Sequence, residues 1–444
     1  MALKDVATAY LQSISYDGFV KYVCFQHPVT KEWLYFRQHG PIYGEASAAV
    51  RWENTIGPWF EEQGFIRGSN ERCVFYHEER DLIILLYVDD VYADGDEDDI
   101  KWIFDLLDSR FTCKPAEWLT EDTPLDYLGQ EVILTKTHIH LSMYSYIQDM
   151  VDSLELRTAR SAATPIATAV NPNTAPLDQP HRKLFMVIMG CVGWLVNTAR
   201  PDVAYAHSRV AQHMASPTVS ALDAAKRIVR YLKRTAHLTL AAPIGDPNLD
   251  TVVGDDRGAW SFFSDTDHAG NAEIQNKRRS QNGLVAIQNG APVVWASKVS
   301  SVAFAHPNLG EAHADISSAA VEIYGSANAT HEFLYQSYVA DEMGVDFPLP
   351  IRMQIDNSAC ETFINASGGR SKLKHIDCRQ WWVEMLRDKS VLIPTHVDSK
   401  YNVADLFTKI LAREVFERLR DAIMVPFDKT MDPRTILDAS DDED

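Results

Sequence analysis

The sequence predicts an α+β protein that closes in an α/β domain. Two stretches carry this expectation. Residues 52–65 and 98–111 have helical apolar spacing and flank the strand-forming run Leu82-Ile83-Ile84-Leu85-Leu86-Tyr87. Helices against a small antiparallel sheet give the α+β part. From Trp260 onward strands and helices alternate: strands at 260–265, 283–287 and 292–296, a helix at 316–342, a strand at 351–355, a helix at 375–387, a strand at 391–397 and a helix at 403–420. That order is α/β. Between the two parts lie helical patterns at 183–198, 202–215 and 221–235, set off by Pro- and Asn-rich breaks at 161–181 and 243–258. The expected division is 1–160, then 161–248 as linker plus helices, then 249–415, then 416–444 as a helix end and acidic tail.

Bulk properties narrow the function classes. A chain of 444 residues holds two or three domains at roughly 100–200 residues each. With 46% hydrophobic residues it can bury large cores. Cys24, Cys73, Cys113, Cys191, Cys360 and Cys378 are widely spaced, and no pair has zinc-site or disulfide-framework spacing. The N-terminus has no apolar signal core, and no apolar run reaches the ~18 residues of a membrane span. A soluble, intracellular protein is expected, with no membrane partner. The net charge of −20 argues against a large sequence-independent DNA binder. Acidic runs at 94–99 and 438–444 supply part of it. Metal-holding enzymes need acidic clusters as well.

The run ending at Tyr87 leads into Val88-Asp89-Asp90, then Val91-Tyr92-Ala93 and Asp94-Gly95. This predicts a β-hairpin with two aspartates at its tight end. Adjacent carboxylates repel, and burial raises the cost. A divalent cation such as Mg²⁺ relieves both, because it prefers carboxylate and phosphate oxygens. The alternative is a solvated Asp-Asp turn, which hairpins favour anyway. The helix at 221–235 carries Lys226, Arg227, Arg230, Lys233 and Arg234. Its basic face suits phosphate contacts or is an ordinary solvated face.

These motifs together resemble the Pol polyproteins of copia-type LTR retrotransposons. Leu85-Leu86-Tyr87-Val88-Asp89-Asp90 is similar to the signature hairpin of reverse transcriptases. Lys4-Asp5-Val6-Ala7-Thr8-Ala9-Tyr10-Leu11 resembles the strand with the first metal-binding aspartate. The resemblance implies a reverse-transcriptase palm in which Asp5 and Asp89 hold two metal ions, Mg²⁺ or Mn²⁺, with Asp90 in a lesser role. Tyr10 would lie beneath the incoming sugar and exclude a 2′-hydroxyl. Further segments fit: Ile42-Tyr43-Gly44 with Arg51-Trp52, Tyr127-Leu128-Gly129-Gln130-Glu131-Val132, Thr198-Ala199-Arg200-Pro201-Asp202 and Ala225-Lys226-Arg227 through Lys233. The middle helices would form a thumb or connection, with Lys226, Arg227, Arg230 and Lys233 gripping nucleic acid.

The C-terminal part resembles the RNase H module of the same polyproteins. Two-metal hydrolysis needs several convergent carboxylates. The resemblance assigns them to Asp265 at the end of the first strand, Glu322 on the long helix, Asp356 after a strand and Asp405 at a helix start. Each also has a structural explanation; Asp405, for example, suits a helix cap. Arg278-Arg279-Ser280, Trp295-Ala296-Ser297-Lys298 and Lys374-His375-Ile376-Asp377 follow in family order; His396 reads as a surface histidine, with a product-release role as the alternative.

Some features depart from the pattern. The chain starts almost at the first catalytic strand, so a palm without upstream fingers and with weak or absent polymerase activity is expected. Gly44-Glu45-Ala46-Ser47 replaces the family's usual "GLKQ". Residues 305–314 read as an insertion, and Ala320 replaces an extra Glu. The implied function is RNA-directed DNA synthesis and cleavage of RNA in RNA–DNA hybrids. The partners would be template-primer, hybrid, dNTPs and other Pol-derived chains, in cytoplasmic virus-like particles or the nucleus. The competing readings are an inactive remnant that only binds nucleic acid and a structural protein.

Overall fold

The computed structural model describes residues 1–16, 20–244, 260–267, 280–299, 318–347, 349–365 and 377–427. The chain divides into two compact units. One is Met1–Tyr127 with Tyr335–Phe347, and the other comprises Leu128–Leu334 and Pro348–Asp444.

The first unit is built on β1 (Ala2–Asp5), the hairpin β2 (Lys21–Gln26) and β3 (Trp33–Gln38), α1 (Ala48–Glu62), β4 (Ile66–Arg67), β5 (Val74–His77), β6 (Leu82–Tyr87), β7 (Asp90–Asp94), α2 (Glu97–Arg110), β8 (Glu117–Trp118) and β9 (Leu125–Tyr127). A sheet in the order β4-β5-β6-β7-β1-β8 carries the site. Alternation along β6 buries Leu82, Ile84 and Leu86. They pack with Trp52, Ile56 and Phe60 of α1 and Ile100, Ile103 and Phe104 of α2. Pro58 lies inside α1, yet the helix runs to Glu62. Asp96 caps α2, accepting from the Asp98 amide at 2.9 Å, and three acidic residues follow in the first turn. That explains part of the 94–99 charge run as helix-dipole complement.

The second unit continues with β10 (Gln130–Leu134), β11 (His138–Ser142), α3 (Tyr144–Ser153), α4 (Gln179–Thr198), α5 (Ala204–Ala211), α6 (Val219–Arg234) and β12 (Leu238–Pro243). Then come β13 (Trp260–Asp267), β14 (Gln281–Gln288), β15 (Ala291–Val299), α7 (Ser318–Glu342, counted with the first unit from Tyr335 on), β16 (Ile351–Ile355), α8 (Ser358–Asn365), α9 (Asp377–Asp388), β17 (Leu392–His396), α10 (Arg413–Asp421) and β18 (Val425–Pro426). The C-terminal sheet has the order β15-β14-β13-β16-β17, antiparallel on one side and parallel at β13–β16 and β16–β17. A second sheet pairs β10, β11, β12 and β18.

This organisation corrects the expected domain boundaries. Residues 128–160 leave the first domain because β11 pairs with β12. The middle helices do not stand alone either. One core joins Phe185, Ile188 and Val192 of α4 and Ile228 of α6 to Phe263, Val285, Phe407 and Phe416. Trp295 Nε1 donates to the Val196 carbonyl at 2.7 Å across this contact. The segment at 161–181 is no free linker: Ala162, Ile166 and Val170 are buried in the same core. The Arg200-Pro201-Asp202 motif has a structural role. Arg200 is fully buried, donates twice to Asp202 (2.9 and 2.7 Å) and once to the Thr235 carbonyl (3.0 Å). The expected helix at 403–420 is a 3₁₀ turn at Val403–Phe407 followed by α10. Among the described residues no helix is long and apolar enough to cross a membrane. The expected insertion at 305–314, Arg278-Arg279 and Lys374-His375-Ile376 fall outside the described residues, as does the acidic tail.

Candidate active sites

In the first unit β1 sits between β7 and β8, which brings Asp5 directly opposite Asp90. Tyr87 pairs with Asp90, leaving Val88 and Asp89 as the two turn residues. Val88 has φ 55°, a left-handed backbone that a β-branched side chain disfavours. Two hydrogen bonds hold the strained turn. Trp52 Nε1 donates to the Val88 carbonyl at 2.5 Å, and the Val6 amide donates to the Asp89 carbonyl at 2.8 Å. Strain retained this way is common where geometry serves a site. Burial, then Asp89 and Asp5, push the Asp90 carboxyl above its ordinary pKa. Lys114 Nζ, which sequence reasoning missed, pairs with Asp5 Oδ2 at 2.8 Å and is raised in turn. Tyr10 follows in a 3₁₀ turn, Ala9–Gln12, with its ring centroid 4.9 Å from that of Tyr43. Burial, followed by the charge of Asp89, raises the Tyr43 phenol, so Tyr43 belongs to the same neighbourhood.

The second unit gathers its acids more tightly. Asp265 lies near the end of β13, Glu322 early on α7 and Asp356 just after β16. Each offers a carboxylate oxygen within 4.8 Å of the others. This is the one such three-residue group among the described residues. Glycines permit it. A Cβ on Gly325 would come within 2.0 Å of Thr266 Oγ1, so only glycine lets α7 approach β13 this closely. A Cβ on Gly283 would meet Thr408 Cγ2 at 2.7 Å and the Ala404 carbonyl at 2.9 Å. That bare backbone seats the 403–408 segment, and Asp405 with it, beside the cluster. Asp265, Glu322 and Asp405 are buried. Burial, then Asp265 and Asp356, push Glu322 up to about 9. Burial, then Asp265, push Asp405 to about 7, with Lys409 opposing.

Asp405 is not the helix cap. Asn402 holds that role, its side chain accepting from the Ala404 amide at 3.1 Å. Instead Asp405 Oδ1 meets Lys409 Nζ at 2.8 Å. Thr408 Oγ1 donates to Asp265 Oδ2. Thr408 and Lys409 close the Asp405 motif, but only the fold reveals that they turn back onto the acids. His396 is half-exposed, and its Nδ1 lies 4.0 Å from Glu361.

The basic face of α6 is partly engaged within the chain. Arg227 Nη2 donates to Thr164 Oγ1 at 3.0 Å, and Lys233 Nζ bonds the Arg157 and Ala159 carbonyls. The Arg230 carbonyl accepts from the Ala162 amide at 3.4 Å. Arg227 and Lys233 tie the 157–164 segment to α6, and Lys226, Arg227, Arg230 and Lys233 are all half-buried.

Residues 2–168 match the reverse transcriptase (RNA-dependent DNA polymerase) family. Over 438 residues the chain is 26% identical to a retrovirus-related Pol polyprotein from transposon RE2 of Arabidopsis thaliana, covering 95% of this chain and 27% of that protein. The corresponding protein from transposon TNT 1-94 of Nicotiana tabacum is 23% identical, over 86% of this chain and 27% of its own length. A putative transposon Ty5-1 protein of Saccharomyces cerevisiae is 27% identical, over 59% and 80% respectively. A foamy viral protease–reverse transcriptase solved with an RNA/DNA hybrid aligns over 90% of this chain and 44% of its own, with TM-score 0.47 and 10% identity. The first part of the chain is thus a reverse-transcriptase domain. The chain as a whole is similar to the Pol polyproteins of copia-type retrotransposons and spans 27% of the length of the RE2 relative.

Proposed function

We propose that the chain is a metal-dependent phosphoryl-transfer protein with two centres, an RNA-directed DNA polymerase palm and a hydrolytic site for the RNA strand of RNA–DNA hybrids. The observation that carries the reading is the meeting of Asp265, Glu322 and Asp356 from three separate elements. A buried, all-carboxylate donor set fits a hard divalent ion, Mg²⁺ or Mn²⁺. The raised Glu322 supports this, since a positive charge among these acids would restore its ionised form. Asp265, Glu322 and Asp356 would hold the ion with Asp405 beside them; Asp5 and Asp89 would do so in the palm. Such an ion, when bound, neutralises charge developing on the phosphate and acidifies water.

The chain's own groups orient the rest. Thr408 fixes the Asp265 carboxylate, and Trp52 and Val6 fix the palm turn. Tyr10, against Tyr43, would meet the sugar and exclude a 2′-hydroxyl. Template-primer, hybrid and dNTPs are the proposed ligands, other Pol-derived chains are proposed partners, and virus-like particles or the nucleus the proposed setting. The decisive experiment is cleavage of a labelled hybrid with Mg²⁺ or Mn²⁺, wild type beside Asp356→Asn. Cleavage by wild type alone is expected; equal cleavage by both sinks the hydrolytic reading.

We propose low activity for the polymerase centre. Glu45, where the family pattern expects no acid, is held as a carboxylate well below its ordinary pKa by Lys21, Tyr16 and Gln38. That pairing engages Lys21, a cation that would otherwise be available to an incoming triphosphate. Primer extension by wild type beside Asp89→Asn and Glu45→Gln tests this. Gain of extension in Glu45→Gln is expected, and unchanged extension refutes the charge argument.

A further inference from the structure

The proposed hydrolytic site contains a cation of its own. Lys409 Nζ lies 2.8 Å from Asp405 Oδ1 and 3.4 Å from Asp265 Oδ2. The lysine is well fixed. It stands one turn after Asp405, its amide bonds the Asp405 carbonyl, and Thr408 beside it is anchored on Asp265. Gly283 seats the whole 403–408 segment on β14. The ammonium therefore divides the four carboxylates. Asp265, Glu322 and Asp356 converge on one another, Asp405 is paired with Lys409, and Asp265 is shared by both sets.

We propose that Lys409 is a built-in counter-ion that makes the two divalent-ion positions of this site unequal. The first ion is taken by Asp265, Glu322 and Asp356. The second needs Asp265 and Asp405, and binds only by displacing the Lys409 ammonium. Lys409 is thus a positioning residue that acts through Asp405 and Asp265. The inference rests on reading the cluster as a metal site. It adds an order of loading: substrate phosphate, arriving with negative charge, is what favours entry of the second ion.

The test is Mn²⁺ binding to the full chain carrying Asp5→Asn and Asp89→Asn, which silence the palm, read by electron paramagnetic resonance of free Mn²⁺. Two classes of site are expected, the weaker by roughly tenfold or more, and Lys409→Met should bring them within about threefold while Lys409→Arg keeps them apart. The first ion's affinity should shift less than the second's in Lys409→Met. Two equal sites in the parent, or an unchanged ratio in Lys409→Met with its thermal melt intact, overturns the role of Lys409. No binding in the parent, or binding indifferent to Asp356→Asn, overturns the metal-site reading itself.

Discussion

Asp89 and Asp90 stand at the tip of a hairpin where solvent reaches both; Asp265 and Glu322 lie between a sheet and a helix, each under a tenth exposed. Both sets are carboxylates at strand ends or on a neighbouring helix, and each has a lysine paired to it. Lys114 at the palm is 64% exposed on its side chain, and Lys409 is 37% exposed. The difference teaches that burial, more than residue type, sets how strongly an acidic group calls for a cation. Water screens the palm acids, and burial with its acidic neighbours raises Asp90. In the second unit two acids are raised far enough to hold protons near neutral pH.

The sharpest way to break this contrast is to remove one acid from the buried cluster. Asp356→Asn should lower hybrid cleavage by about 10³-fold, the loss of several kcal/mol of charge stabilisation. Single-turnover cleavage at saturating Mg²⁺ measures it. A loss under tenfold would mean the convergence does not serve hydrolysis.

The next effect concerns stability without metal. Glu322 keeps its proton in the folded chain up to about 9, while the unfolded chain releases it near the ordinary carboxylate value. The folded state therefore holds the extra proton between those values, and stability falls as pH rises, by at most about 1.4 kcal/mol per pH unit. Asp405, raised to about 7, adds the same sign over the lower part of that window. Glu322→Gln should remove the Glu322 slope and be the more stable protein at pH 9 in chelator. Urea denaturation at pH 6 and pH 9 checks this, and a wild-type stability that is flat across the window counts against it.

Much of the fold was legible because its signals are local. The hairpin at Leu82–Asp94, the helix at 97–110 and the strand Ile351–Ile355 follow from apolar period and turn residues. The domain boundaries were not, because the pairing of β11 with β12 joins residues about a hundred positions apart. The acids of the C-terminal site were readable through family motifs. Their counter-ion was not: Lys409 is an ordinary lysine until Gly283 and Thr408 turn it inward. The basic helix shows the same limit: Arg227 and Lys233 look free in sequence, but in the fold they bond Thr164 and the Ala159 carbonyl.

A smaller effect tests how the palm turn is held. Trp52→Phe keeps the ring against Phe111 and loses only the bond to the Val88 carbonyl. One hydrogen bond is worth about 1 kcal/mol, so palm Mn²⁺ affinity in an Asp356→Asn background should fall roughly fivefold with the melting curve nearly unchanged. An unaltered affinity would show that Val6 alone fixes the turn.

The smallest effect is the most discriminating for the contrast itself. Lys114 and Lys409 look alike as lysine–aspartate pairs, at 2.8 Å each. If exposure governs, Lys114→Met should leave the urea midpoint almost unchanged, and added salt should erase any change. Palm Mn²⁺ affinity should then move by no more than about threefold, against the larger shift expected at Lys409. The two lysines titrated side by side in one chain give the comparison directly. Equal shifts at both sites would mean that the pairing distance, and not the surrounding burial, decides how a lysine competes with a divalent ion.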